Sequence, residues 1–187
     1  MPAPAGTVHP DVTAKMPATP EHLIAFLAEK GLDATTHSHP PLRTVAESRE
    51  LRGNIPGAHT KNLFLRDSKK NYFLVSIEEE TPVDLKGLRG RLGARGNLSF
   101  ASAEALYEKL GVLPGSVTLL AAINDPGHEV TIAIDEALLA APLVACHPLT
   151  NEMTTCLTPA TLLAFLEITG HTPLRISLVA EAAPAEG

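Results

Sequence analysis

Gly57-Ala-His-Thr-Lys-Asn-Leu-Phe-Leu-Arg-Asp67, followed after a short charged gap by Asn71-Tyr-Phe-Leu-Val-Ser76, reads as a strand, a turn over Asp67 to Lys70 and a second strand. Side chains alternate across a strand, so Lys61, Leu63 and Leu65 share one face. An ammonium aimed at a core costs several kcal/mol unless an anion or several hydrogen-bond acceptors meet it. Lys61 is therefore either a strand-end residue with its stem on apolar surface and its head in water, or part of a site.

Working outward, punctuated helices surround this hairpin. Thr19-Pro20 supplies a capping hydroxyl and a first-turn proline, and Leu23, Ile24, Phe26 and Leu27 recur at helical spacing until Gly31. Thr158-Pro159 does the same ahead of Leu162, Leu163, Phe165 and Leu166, with Gly170 as the stop. Thr44 with Glu47 forms a capping-box pattern for a short helix ending near Gly53; Asp84 to Leu92 and Ser102 to Gly111 read as two more. Further strands fit positions 34–37, 97–100, 116–123, 129–134, 143–147, 154–157 and 174–179. Hairpins and helices interspersed irregularly predict an α+β, mixed α/β domain with one central, mostly antiparallel or mixed sheet. The packed domain is expected over 19–179, with mobile tails at 1–18 and 180–187, which carry little that could pack.

Composition narrows the partners. The chain has 187 residues, a formal charge of −6 and no Trp. No apolar run reaches the roughly 18 residues that cross a bilayer. No basic start followed by an apolar stretch marks a secretory signal, so a cytoplasmic location is expected. Cys146 and Cys156 lack a Cys-x-x-Cys element and read as unpaired core residues. Between Arg43 and Arg95 stand eleven of the fifteen Lys and Arg against seven acids, a local +4 in a chain whose remainder is −10. Lys86, Arg89, Arg91 and Arg95 would form a cationic ridge on one helix and its exit loop, suited to phosphates or else a solvated face.

Other loops hold candidate chemistry. Pro114-Gly115 makes a turn that would offer the backbone N–H of Ser116 and its neighbours to an oxygen-bearing ligand. Cys146-His-Pro-Leu-Thr-Asn151 puts an imidazole and a carboxamide at a strand edge, where they serve a ligand or fix the loop. His37-Ser-His39 invites a metal reading, which the following Pro40-Pro41 and the lack of a third ligand at a supporting spacing argue against. His59, His128 and His171 read as isolated. Gly-rich phosphate loops, Gly-x-Ser-x-Gly elbows and His-Glu-x-x-His helices are absent from the sequence.

Taken in order, His37-Ser-His-Pro-Pro41, Thr44-Val-Ala-Glu-Ser48, Gly57 to Leu65, Leu98-Ser-Phe-Ala-Ser102, Leu113-Pro-Gly-Ser-Val-Thr118, Ile123-Asn-Asp125 and His147-Pro-Leu-x-Asn151 resemble the YbaK and prolyl-tRNA-synthetase editing-domain superfamily. Within it, the sequence looks most similar to the freestanding deacylases of alanyl-tRNA(Pro). The resemblance spans about 21–178 and implies hydrolysis of the ester joining a wrong amino acid to the terminal adenosine of proline tRNA, with no metal and no cofactor. It further implies a monomer that meets the aminoacyl-tRNA(Pro) acceptor end and, transiently, prolyl-tRNA synthetase. Lys61 aligns with the family's essential lysine, and the turn at Gly115 and Ser116 with its oxyanion donors. Thr44, Val45, Asn62, Phe100, Thr118, His147 and Asn151 fall at substrate-binding positions. One departure stands out, Leu119 where the family loop usually carries proline. A deacylase of Cys- or Ser-charged tRNA, and a non-catalytic module that binds a tRNA end or a free amino acid, are the competing readings.

Overall fold

The computed structural model describes residues 16–42 and 44–178. The tails expected over 1–15 and 180–187, with Arg43 and Val179, lie outside the described residues. Met16 to Ala18 are placed, and Ala18 N donates to Asn124 Oδ1 at 2.8 Å.

Six α-helices and eight strands follow the described chain. In order they are α1 (Pro20–Glu29), β1 (Ala34–Ser38), α2 (Val45–Asn54), β2 (Ala58–Arg66), β3 (Tyr72–Glu78), α3 (Leu85–Leu92), β4 (Ser99–Phe100), α4 (Ala103–Leu110), β5 (Val130–Asp135), α5 (Glu136–Leu139), β6 (Val144–Cys146), β7 (Met153–Leu157), α6 (Pro159–Ile168) and β8 (Leu174–Ile176). The strands form one mixed sheet in the order β1-β7-β6-β2-β3-β5-β8, with β4 alongside β2. β2 pairs antiparallel with β3, Lys61 opposite Ile77, and parallel with β6, His59 opposite Ala145. This is the α+β domain that the patterning predicts.

Strand parity decides which layer each side chain meets. Phe64, Leu74, Ile132, Val144 and Leu157 face one core with Leu23 and Leu27 of α1, Leu106 and Leu110 of α4, and Leu162, Phe165 and Leu166 of α6. Leu63, Leu65, Val75, Ile77 and Ala133 face the other way, onto Leu88 and Leu92 of α3. Next to them, on that same side, Ala145 and Cys156 pack with Ile55 and Leu51 of α2. The hairpin is thus buried on both faces, which is why its apolar run is nearly continuous at its centre.

Turn chemistry sets the connections. Asp67 closes the β2–β3 turn by accepting from Lys69 N, Asn71 N, Asn71 Nδ2 and Arg95 N at 2.8–2.9 Å. Burial pushes its carboxyl up, but the bonds from Asn71, Arg95 and Lys69 outweigh that and hold it well below the usual carboxylate range. Gly57 sits at φ 111°, where a Cβ would come within 3.1 Å of the Leu143 carbonyl; only glycine lets β2 start this close to β6.

One expected strand is wrong. Positions 116–123 form a 3-10 helix over Leu119–Asn124, capped by Thr118, whose hydroxyl accepts from Leu120 N at 3.2 Å. Leu119, Leu120, Ala121 and Ala122 are all buried, and a short apolar run without alternation fits a buried helical turn as well as a strand. The strands expected over 97–100, 143–147 and 174–179 shorten to Ser99–Phe100, Val144–Cys146 and Leu174–Ile176, and α5 was not anticipated.

The capping boxes formed as read at α2: Thr44 Oγ1 accepts from Glu47 N at 3.2 Å, and Glu47 Oε2 accepts from Thr44 N at 2.9 Å. A Thr44→Ala substitution should cost about 1 kcal/mol. Hydrogen exchange should show α2 opening first, because α2 presents few buried residues to the sheet.

Candidate active site

A small cavity of about 60 Å³ opens where α2 crosses the ends of β2, β6 and β7. Its wall comprises Leu42 before α2, Ser48 and Leu51 on α2, His59 and Thr60 on β2, Glu79 after β3, Ala145, Cys146 and His147 around the end of β6, and Thr154 on β7. Register explains the gathering. His59 lies opposite Ala145, and Glu79 N donates to the His59 carbonyl at 3.0 Å, so three neighbouring strands point their ends at one place.

The imidazoles are held in set tautomers. His147 Nδ1 donates to the Met153 carbonyl at 3.2 Å, and His59 Nε2 to the Ile55 carbonyl at 3.2 Å, since a carbonyl can only accept. Each neutral ring then keeps one nitrogen lone pair, Nε2 on His147 and Nδ1 on His59. Burial pushes the His147 pKa down, the Met153 bond and the Glu79 charge pull it up, and the nearby His39 and His59 lower it further; the net direction is down. His147 is therefore predominantly neutral at pH 7. Burial pushes the Cys146 thiol up to about 12, which removes it as a nucleophile.

Lys61 is two residues on from His59, on the same face of β2, and half-buried. Its Nζ donates to the Thr81 carbonyl at 2.8 Å, just beyond Glu79. Asn62 faces the opposite side of the sheet, where Ser76 Oγ donates to its Oδ1 and its Nδ2 donates to Thr60 Oγ1 at 3.2 Å. Thr60 Oγ1 donates in turn to the Ala145 carbonyl at 3.1 Å, so this polar chain buttresses the cavity floor.

The remaining positions are spread more widely. Gly115 is exposed at φ 91°, and Ser116 N donates to the Leu113 carbonyl at 3.0 Å, which commits that N–H to closing the turn. Thr118 is fully buried as the cap of the 3-10 helix, which packs on the sheet face opposite Lys61. Phe100 is 63% exposed beside Leu65, about 13 Å along β2 from Lys61 at ordinary strand rise. Thr44 caps α2, Val45 begins it, and Asn151 is half-buried in the β6–β7 turn. Lys86 and Arg89 line a groove of about 440 Å³ with Leu85, Asn97 and Leu98, whereas Arg91 donates to the Ser177 carbonyl; Arg95 is exposed.

Three histidines that read as isolated have company. His59 lines the cavity; its place two residues before Lys61 on one strand was the available signal. His128 and His171 meet edge to face at 4.9 Å, and His171 Nε2 lies 3.3 Å from Asp125 Oδ2. Glu79 was also missed, as one of three consecutive glutamates with nothing local to single it out. His39 bonds to Thr154 Oγ1 and the Pro40 carbonyl, and among the described residues no cluster of three or more His, Cys, Asp or Glu could hold a metal ion.

Residues 39–165 match the family model described as the aminoacyl-tRNA editing domain. The chain belongs to the aminoacyl-tRNA editing domain family. Within this family it is 41% identical over 159 residues to the prolyl-tRNA synthetase associated domain-containing protein 1 of Danio rerio, covering 84% of this chain and 86% of that one. It is 32% identical over 157 residues to the prolyl-tRNA editing protein ProX of Acetoanaerobium sticklandii, covering 83% and 95%. A solved structure described as a candidate trans-editing enzyme for prolyl tRNA synthetase shares the editing-domain fold, with a TM-score of 0.65, 23% identity and coverage of 86% and 96%.

Proposed function

We propose that this editing-domain protein hydrolyses the aminoacyl ester of mischarged proline tRNA, with alanine as the preferred cargo, acting on tRNA released by prolyl-tRNA synthetase. The observation that carries this reading is the small polar cavity walled by His147, His59 and Glu79; Lys61 is not among its lining residues but follows His59 by two positions on the same face of β2. At about 60 Å³ the cavity is small, in keeping with a sieve for a small amino acid. Such a second sieve is needed because a synthetase pocket shaped for proline rejects smaller amino acids by only ~1–3 kcal/mol per missing methylene.

In this mechanism water attacks the ester carbonyl, the bond to the ribose 3′-oxygen breaks, and that oxygen takes the proton. The Lys61 ammonium exchanges the Thr81 carbonyl for the terminal phosphate or the substrate carbonyl. Ser116 N–H is engaged with the Leu113 carbonyl, and neither Gly115 nor Ser116 is among the residues that line the cavity, so no oxyanion donor is assigned to this turn. His147 Nε2 accepts from the attacking water or the substrate, and the ribose 2′-hydroxyl helps position that water. The acceptor stem runs along Lys86 and Arg89, which lie on the same sheet face as the cavity.

Deacylation of Ala-, Cys-, Ser- and Pro-tRNA(Pro) tests the reading. Ala-tRNA(Pro) should be cleared fastest and Pro-tRNA(Pro) spared; equal rates on all four, or none, would reject it. The K86A/R89A double variant should raise KM several-fold and flatten the dependence of log KM on log salt by about two units.

A further inference from the structure

We propose that Ser76 and Asn62 are positioning residues for the hydrolytic step: they fix the Thr60 hydroxyl so that its remaining lone pair and His147 Nε2 together hold the attacking water. The proposal rests on the deacylase reading above. Ser76 is fully buried and stands opposite Asn62 in the β2–β3 register, on the sheet face that carries Phe64 and Leu74. The direction of every bond in the chain follows from its far end. The Ala145 carbonyl can only accept, so Thr60 Oγ1 directs its one proton there, at 3.1 Å. Thr60 Oγ1 must then accept from Asn62 Nδ2, at 3.2 Å, which turns Asn62 Oδ1 toward Ser76 and makes Ser76 Oγ the donor.

The place where this chain ends gives it a chemical use. The β2–β6 ladder stops at His59 opposite Ala145, and Thr60, Cys146 and His147, the next residues on the two strands, line the cavity. Of the two lone pairs on Thr60 Oγ1 one is taken by Asn62, and the proton is committed, so the hydroxyl offers the cavity an acceptor and no donor. His147, its Nδ1 tied to the Met153 carbonyl, offers a second acceptor at Nε2. A water that donates to both keeps a lone pair for the ester carbonyl. An unfixed hydroxyl would donate to that water as readily as accept from it, and would blunt the attack. Thr60 orients the water and takes no proton; the proton released on attack still passes to the leaving ribose 3′-oxygen. A buried polar chain is stabilising only when every member is satisfied, and Ser76 is the member that completes this one.

The test measures kcat and KM for Ala-tRNA(Pro) with Ser76→Ala, Thr60→Val and the double variant of the full chain. Ser76→Ala should lower kcat about tenfold with KM within about twofold, and Thr60→Val should lose at least as much. In the Thr60→Val background, Ser76→Ala should have no further effect on kcat, because the acceptor it orients is gone. An unchanged kcat in either single variant, or losses that simply add in the double variant, overturns the proposal and leaves the deacylase reading standing. Exchange of the Asn62 side-chain amide protons, followed by NMR without substrate, reads the chain directly. It should be slow in the wild type and faster in Ser76→Ala; equal exchange in the two overturns the proposal. Slow exchange in a wild type that hydrolyses no mischarged tRNA overturns the deacylase reading and the water-holding role with it, while the bond directions stand.

Discussion

Lys61→Ala should abolish deacylation of Ala-tRNA(Pro), lowering kcat/KM by at least about 10²-fold, the usual scale for removing one preorganised electrostatic contact. The fold should survive. The ammonium makes one hydrogen bond, to the Thr81 carbonyl in the bend after β3, and the apolar residues beyond it on β2, Leu63 and Leu65, carry the packing. Truncation therefore leaves no buried charge behind, and the melting temperature should move by only about 2–4 °C. Lys61→Arg should rescue binding better than turnover, since a planar guanidinium reaches differently from a compact ammonium. Turnover undiminished in Lys61→Ala would remove the amine from the mechanism.

Asp125→Ala should cost about 3 kcal/mol and lower the melting temperature by roughly 6–12 °C. One carboxylate oxygen accepts from Glu129 N at 2.9 Å, and the other from Val130 N at 3.0 Å beside His171 Nε2 at 3.3 Å. Removing the side chain strands two backbone donors where β5 begins and unhooks the end of α6. Asp125→Asn should lose less, because one acceptor oxygen remains. Burial pushes the Asp125 carboxyl up, but the bonds from His171, Glu129 and Val130 and the His171 charge outweigh it, so its pKa is lowered. A carboxyl lowered by folding stabilises fully above its unfolded value of about 4, and that contribution is lost as pH falls below it. The gap between the acid unfolding curves of the wild type and Asp125→Ala should therefore narrow as pH falls from about 4 through the lower folded-state pKa; a gap independent of pH would contradict the assignment.

The hairpin was legible because local signals agreed there: a charged turn at Asp67 to Lys70, apolar runs on both sides, and helix caps at Thr19, Thr44, Ser102 and Thr158. These depend on backbone groups within a few residues, so the chain writes them locally. The strand expected at 116–123 failed for the opposite reason. Its apolar residues are buried on all sides, and only the packing of α4 and α6 around them selects a 3-10 helix.

The candidate site divides in the same way. Lys61 could be singled out because a cation inside an apolar strand contradicts its own surroundings. His59 and Glu79 contradict nothing nearby, and they come together with His147 only because β2 lies parallel to β6 and antiparallel to β3.

By itself, the amino-acid sequence determined the central hairpin, the capped helices, the α+β class and the lysine worth testing, since each follows from hydrophobic period and short-range hydrogen bonding. Tertiary structure alone decided that Lys61 and Asn62 look to opposite faces and that Ser116 N–H is already engaged. It also decided that Glu79 shares a cavity wall with His59 and His147. Pairing register joins residues far apart in the chain, and no local pattern records which ends will meet.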